Sequence, residues 1–551
     1  MTCIDESMFV DNSVIVEDFK EHLLTIPGRG TLKGMAVLDG KTKKEKCYRY
    51  SGIRYAQPPK GELRWKRPVS LPDGYNYDGD YTQFKTVCPQ PVYPGLEKIQ
   101  HPDTVYDEDC LYLNIWVPAG EPPKGGWPVM YFIHGGFLQV GNPNQHREAD
   151  PQDLQAEGSP ARYIVVAPGY RLNLFGFLSS KELVEEDSQN TNFGFWDQRK
   201  GLEWVHSMIH HFGGDKNNVS VAGLSAGSYS AIFQLQYELY HPKESQIIKK
   251  VHLISNGLAV QPKSVEESQE QFDELLQAFD IPLSLSSEEK LSKLREIPFK
   301  DLANKIMSLK LHTFRAVTDS NNFVSTSLLK DIISGRFGEL FNQSGRSIII
   351  GDVVNELSLY KNTNPPESAE ALERELNNYY PHKIVRALVN LYPSVPEALK
   401  SDPTAYLEKT KELFGNIVSD MQVYSSERIL VESLIRGDVP LDRIHRYKVG
   451  YRARFFDKYT PPEEEVPHGG DMAIWFYTVI DGIEDDEKPA HVEWLKPVEQ
   501  FMYNKPVAWG TTDKTQYRIF NPDGSIAIRY DDQWDWAMKV REAIKSVVDQ
   551  S

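Results

Sequence analysis

Gly223-Leu224-Ser225-Ala226-Gly227 is the segment of the chain best suited to do chemistry. A serine hydroxyl is a poor nucleophile at neutral pH and needs an adjacent base. In a G-x-S-x-G elbow it sits on a strained strand-to-helix turn that presents its oxygen above a sheet. The apolar run Val219–Ala222 precedes this segment and a helix-compatible stretch, Ser228–Leu239, follows it. The N–H of Ala226, at the helix start, can then face a developing oxyanion. The bland alternative is a glycine-rich turn needed only for packing. A second segment, His134-Gly135-Gly136, follows the run Pro128–Ile133. It reads either as the other half of an oxyanion hole or as a tight turn with a structural histidine.

Elements must bring these pieces together. Short apolar runs end abruptly at glycine-rich or polar turns: Pro128–Ile133, Tyr163–Ala167, Val219–Ala222, Val251–Ile254 and Ile348–Ile350. Continuous apolar strands fit a parallel sheet buried on both faces. Helical patterns such as Asp197–His210 lie between them, which predicts an α/β fold. The turns fall at the carboxyl ends of the strands, where open α/β sheets carry their chemistry. Two long segments, roughly 264–340 and 366–436, read mainly as helix. No Pro- or Gly/Ser-rich linker isolates them, so residues 1–551 are expected to form one catalytic domain with helical cap insertions. The acidic run Glu484–Glu487 reads as a solvated loop.

The chain resembles the type-B carboxylesterase/cholinesterase-like family over about residue 27 to its C-terminus. Phe212–Gly227 (FGGDKNNVSVAGLSAG) matches the family's serine signature, and Glu108–Pro118 (EDCLYLNIWVP) its second signature. Ser51–Pro68 and Asn192–Val205 look like further blocks of the same family. The resemblance implies an α/β-hydrolase fold and a Ser–Glu–His triad in that chain order. Ser225 carries over as the nucleophile. The acid falls at Glu356, five residues after Gly351, with Asp352 as the competing carboxylate. The base falls at His468, in the turn His468-Gly469-Gly470-Asp471 after the strand-like segment Arg446–Phe456. His210 and His211 belong to a helix and read as structural. The resemblance also pairs Cys88 with Cys110 across a short loop; the alternative is two free thiols. Cys3 and Cys47 have no evident partner.

These roles predict acylation of Ser225, with Glu356 orienting His468 and backbone N–H groups of Gly136, Phe137 and Ala226 binding the oxyanion. No metal or cofactor is needed. Some positions depart from the family pattern. Phe137 replaces a third small residue after His-Gly-Gly, Leu357 replaces a glycine after the acid, Gly169 replaces an asparagine, and Ser255-Asn256 replaces Gln-Ser. A ring at position 137 crowds the oxyanion hole, so esters of tertiary alcohols are expected to be poor substrates. The loop between Cys88 and Cys110 lacks the tryptophan a choline gorge would use and the long apolar stretch of an interfacial lid. Tyr93 and Tyr106 either line an entrance or pack the loop.

The composition narrows the partners. The 551 residues carry 61 basic and 78 acidic side chains, a net charge of −17. That balance repels nucleic acid and anionic membranes. No apolar run is long enough to span a bilayer. CxxC, HExxH, P-loop and GxGxxG motifs are all missing. The N-terminal twenty residues lack a signal-peptide pattern, so a cytoplasmic location is expected unless a leader has been removed. The expected function is hydrolysis of a small-molecule carboxylic ester. Competing readings are a lipase, a specialised hydrolase or acyltransferase for a toxin, sterol or acetate ester, and a non-catalytic adhesion homologue. The last is disfavoured because Ser225, Glu356 and His468 are all present. The sequence leaves the oligomeric state open.

Overall fold

A computed structural model describes residues 18–549, except 94–103, 145–148, 245, 258–261, 321, 459 and 480–481. Its strands are β1 (Phe19–Ile26), β2 (Gly30–Leu38), β3 (Glu45–Arg54), β4 (Gly79–Asp80), β5 (Tyr112–Pro118), β6 (Trp127–Ile133) and β7 (Ile164–Pro168). They continue with β8 (Gly214–Leu224), β9 (Ile248–Ile254), β10 (Ser347–Val353), β11 (Ile444–Val449), β12 (Gln516–Phe520) and β13 (Ile526–Tyr530). One sheet runs in the order β1-β2-β3-β5-β7-β6-β8-β9-β10-β11-β12-β13, with β4 beside β2. From β7 to β12 every pairing is parallel; β1-β2-β3-β5-β7 and β12-β13 pair antiparallel, and the two-residue β4 lies parallel to β2.

The centre of this sheet is buried on both faces, which explains the unbroken apolar runs. Every residue of β6, β7 and β11 is buried. The helices Phe193–Met208 and Ala226–Tyr240 each bury most of their length. Between β9 and β10 lie the helices Val265–Ala278, Ser287–Glu296, Phe299–Lys305, Leu328–Ser334 and Arg336–Ser344. Between β10 and β11 lie Leu372–Asn377, His382–Leu391, Pro403–Ser419 and Ser425–Arg436. These are the two helix-rich segments of the sequence.

Two local expectations need correction. The strand expected across Arg446–Phe456 stops at Val449, and Arg454–Lys458 forms a 3-10 turn. Nor is all of Glu484–Glu487 solvated. Asp485 and Asp486 are exposed, but Glu487 is buried and accepts hydrogen bonds from Tyr451 Oη (2.7 Å), Arg454 N (3.1 Å) and Glu484 N (2.9 Å). It ends the loop as the residue preceding the helix Lys488–Met502.

A buried ion network fixes β10 and β11 to the helix Ser425–Arg436. Arg428 bonds Asp352 (3.0 Å) and Asp531 (2.9 Å), Lys448 bonds Asp352 (2.6 Å), and Arg446 also bonds Asp531. Removing one member of such a network strands the others without water. Arg428→Met is therefore expected to lower unfolding free energy by about 3–5 kcal/mol in urea titrations. The network also sets a pH dependence. Burial opposes ionisation of Asp531, but the Arg428 and Arg446 guanidiniums outweigh it and hold its carboxyl at about 2, below its ordinary 3.8. Because the folded value is the lower one, this stabilisation is present above about pH 4. It is lost as pH falls toward about 2. The loss should shrink in Arg428→Met; an unchanged stability and acid profile would contradict this role.

Candidate active site

Ser225 sits at the carboxyl end of β8, immediately before the helix Ala226–Tyr240. Its backbone adopts φ 57° and ψ −121°, a conformation that L-residues rarely adopt. Two close approaches hold it there. A Cβ on Gly227 would lie 1.9 Å from Ile133 O, and one on Gly223 would lie 2.3 Å from Gly227 C. Only glycine lets β6, β8 and the helix meet so tightly. The Ser225 N–H donates to Ile254 O (2.8 Å), tying the turn to β9.

The turn after β6 reaches the same place. A Cβ on Gly135 would lie 3.1 Å from Ser225 Cβ. Gly136, Phe137 and Leu138 all have positive φ, at 106°, 58° and 65°. The N–H groups of Gly136 and Phe137 take no acceptor among the described residues. Gln139 clamps this turn: its Nε2 donates to Phe137 O (3.0 Å) and Phe314 O (2.6 Å), and its Oε1 accepts from Phe314 N (3.0 Å). Arg315 Nη1 also donates to Phe137 O (3.4 Å). His134 stacks on Tyr170 with centroids 4.5 Å apart, and its Nδ1 lies 2.9 Å from Gly135 O.

Glu356 follows β10 and is fully buried. Its Oε2 meets His468 Nδ1 in a short hydrogen bond, and its Oε1 accepts from Val353 N (3.2 Å). The loops that carry the pair are joined by Asn355, whose N–H donates to Val466 O (3.1 Å) and whose Nδ2 donates to Glu464 O (3.0 Å). Tyr424 braces the acid from behind. Its hydroxyl accepts from Glu356 N (2.9 Å) and donates to Val354 O (3.1 Å). Tyr424 closes a π-helical turn, Asp420–Tyr424. The competing carboxylate, Asp352, is taken up by Arg428 and Lys448.

His468 Nε2 is buried and has no partner among the described residues. The next residue, Gly469, abuts the elbow: a Cβ there would lie 3.3 Å from Leu224 Cδ2. Behind the histidine, burial pushes the Asp471 carboxyl up to about 7 even though it accepts from Trp475 Nε1 (2.7 Å). His210 and His211 lie in a 3-10 turn after the helix Phe193–Met208, away from these loops.

Phe137 is buried beside Tyr93, Tyr360 and Tyr379, with ring centroids 5.8–6.3 Å away. Tyr93 is itself buried and bonds Thr313 Oγ1 (3.0 Å), so it packs the floor of its loop. Tyr106 is half-buried and pairs with Val87. Residues 94–103 of that loop lie outside the described residues. Cys88 and Cys110 form a disulfide with Cα atoms 5.0 Å apart, as the resemblance implied. Cys47 is a free buried thiol, and Cys3 lies outside the described residues. Nothing in the sequence marks Gln139, Tyr360 or Tyr424; none lies in a motif that announces its role. Among the described residues no cluster of three His, Cys, Asp or Glu side chains could hold a metal. No described helix is long and apolar enough to cross a membrane.

A nucleophile elbow, a glycine turn and a Glu–His pair at the carboxyl edge of one mostly parallel sheet define an α/β-hydrolase. The fold matches that of Aspergillus niger EstA with a TM-score of 0.70, at 19% identity over 96% of this chain and 98% of that one. The carboxylesterase family model matches residues 20–502, and the chain belongs to that family. It is 58% identical to an uncharacterized esterase/lipase of Schizosaccharomyces pombe over 97% of this chain and 99% of the relative. It is 35% identical to a carboxylic ester hydrolase of Gibberella moniliformis over 96% and 97% of the two chains. The protein is thus a carboxylesterase-type hydrolase.

Proposed function

We propose that the protein hydrolyses small carboxylic esters through an acyl-enzyme on Ser225. The observation that carries this is the Glu356–His468 hydrogen bond, with His468 Nε2 left unpartnered among the described residues and the next residue, Gly469, packed against the elbow. Neutral His468 takes the Ser225 proton as the oxygen attacks the ester carbonyl. Glu356 keeps the proton on Nδ1 and stabilises the transient imidazolium. The N–H groups of Gly136, Phe137 and Ala226 receive the oxyanion; each such donor is typically worth about 10²–10³ in kcat. His468 then returns the proton to the leaving alcohol. Water, activated by the same histidine, releases the acid.

The rings around Phe137 favour compact substrates. A panel of p-nitrophenyl esters should show the highest kcat/KM for short acyl chains; an optimum at long chains would favour a lipase. The alcohol side carries a sharper expectation. Crowding by a core-packed ring typically costs about 1–3 kcal/mol, which corresponds to about 5- to 150-fold in rate. Ethyl acetate should therefore be hydrolysed faster than tert-butyl acetate by about that factor. Phe137→Gly should narrow the gap, and equal turnover in the parent protein would refute the crowding.

A further inference from the structure

One buried polar group at the site has no part in the mechanism above. Tyr360 stands four positions after Glu356 on the helix Leu357–Asn362, so the two share a helix face. It is 1% exposed. Its ring centroid lies 5.4 Å from the His468 imidazole and 5.8 Å from the Phe137 ring, edge to face with both. The ring therefore fills the space between base and oxyanion turn. Its hydroxyl faces the Ser225 side chain but completes no well-directed hydrogen bond with any described atom.

An unsatisfied buried hydroxyl costs about 1–3 kcal/mol, and phenylalanine would fill the same volume without that penalty. Such a group makes physical sense where a reacting molecule supplies the missing acceptor. Two atoms here lack partners among the described residues: the Tyr360 hydroxyl, which needs an acceptor, and His468 Nε2, which accepts until it takes the Ser225 proton and only then donates. Between Ser225 and His468 the acceptor that appears during reaction is the alkoxy oxygen of the ester. Burial, reinforced by the Glu356 charge, raises the phenol well above its ordinary ionisation range, so it remains a neutral donor.

We propose that Tyr360 is a catalytic residue whose hydroxyl donates a hydrogen bond to the ester's alkoxy oxygen as its bond to the acyl carbon breaks. The electron pair of that bond goes to the alkoxy oxygen, and the proton that neutralises it comes from His468 Nε2. Tyr360 keeps its own proton. The site is thereby built for esters of alkyl alcohols, whose alkoxides leave poorly, and adds little for activated phenyl esters. This inference rests on the Ser225–Glu356–His468 reading.

The test is Tyr360→Phe, assayed by kcat/KM, which reports the steps through acylation. Ethyl acetate and p-nitrophenyl acetate share an acyl group and differ in the leaving group. The ethyl ester should lose about 10²-fold. The nitrophenyl ester should lose at least about tenfold less, because its phenolate leaves without help. Equal losses would mean that the hydroxyl only positions Ser225, and no loss on either would mean that the ring only packs; both overturn the proposal. Replacing Tyr360 with 3-fluorotyrosine keeps the ring and acidifies the donor, which covers failure of Tyr360→Phe to fold. The ethyl-to-nitrophenyl rate ratio should then change, and an unchanged ratio overturns the proposal. Ser225→Ala run in parallel separates the two layers. If it is inactive while Tyr360→Phe shows no difference between esters, only the role of Tyr360 falls. If Ser225→Ala still turns over both esters, the underlying reading falls with it.

Discussion

Ser225→Ala should lower kcat for p-nitrophenyl acetate by about 10⁶-fold, the scale seen when a serine hydrolase loses its nucleophile. The elbow itself should survive. Its geometry depends on Gly223, Gly227 and the bond from residue 225 N to Ile254 O, none of which needs the hydroxyl. The free N–H groups of the oxyanion turn would also remain. Substrate should therefore still bind, with KM little changed, and a small rate above water should persist. Unfolding midpoints of the two proteins should agree closely, because only one oxygen is removed. Retention of substantial turnover with an intact fold would place the nucleophile elsewhere.

Glu356→Gln should cost about 10⁴-fold in kcat. Glutamine preserves the shape at this fully buried position and can still accept from Val353 N. It removes the negative charge that His468 Nδ1–H meets. An amide can instead turn its NH₂ group toward Nδ1. That favours the tautomer with the proton on Nε2, which cannot accept from Ser225. The imidazolium formed during attack also loses its counter-charge. KM for short esters should move far less than kcat, since Glu356 does not touch substrate. A loss below about tenfold would mean that another carboxylate orients the histidine. Asp352 is the obvious alternative, and its engagement with Arg428 and Lys448 argues against it.

Much of the architecture was legible because the strands that carry the site are buried on both faces. Pro128–Ile133, Val219–Ala222 and Ile348–Ile350 appear as apolar runs for that reason, and each lies within an observed strand. The boundaries were less legible. β8 begins at Gly214, because its polar start, Asp215-Lys216-Asn217, is partly exposed and carries no apolar signal. β1, where most residues are at least partly exposed, left no apolar run. Ser225 announced itself through glycines whose spacing is demanded by backbone contact. Glu356 and His468 emerged from the family resemblance, because a hydrogen bond between residues 112 positions apart leaves no local pattern.

The supporting residues were hidden for a related reason. Gln139 and Tyr424 act through bonds to backbone atoms on distant segments, 175 and about 70 positions away. Glu487 looked like part of a solvated charge run, and only tertiary contacts bring Tyr451 and Arg454 to it. Tyr360 looked like one more aromatic residue in a helix. Its meaning depends on which oxygen its hydroxyl fails to meet.

The measurement that bears most directly on the acyl-enzyme is the site of a covalent adduct. The protein would be treated with a fluorophosphonate, digested, and the modified peptide sequenced by mass spectrometry. The expected result is a single adduct on Ser225, formed in step with loss of esterase activity and missing from Ser225→Ala. An adduct on another residue, or inactivation that proceeds unchanged in Ser225→Ala, would contradict it.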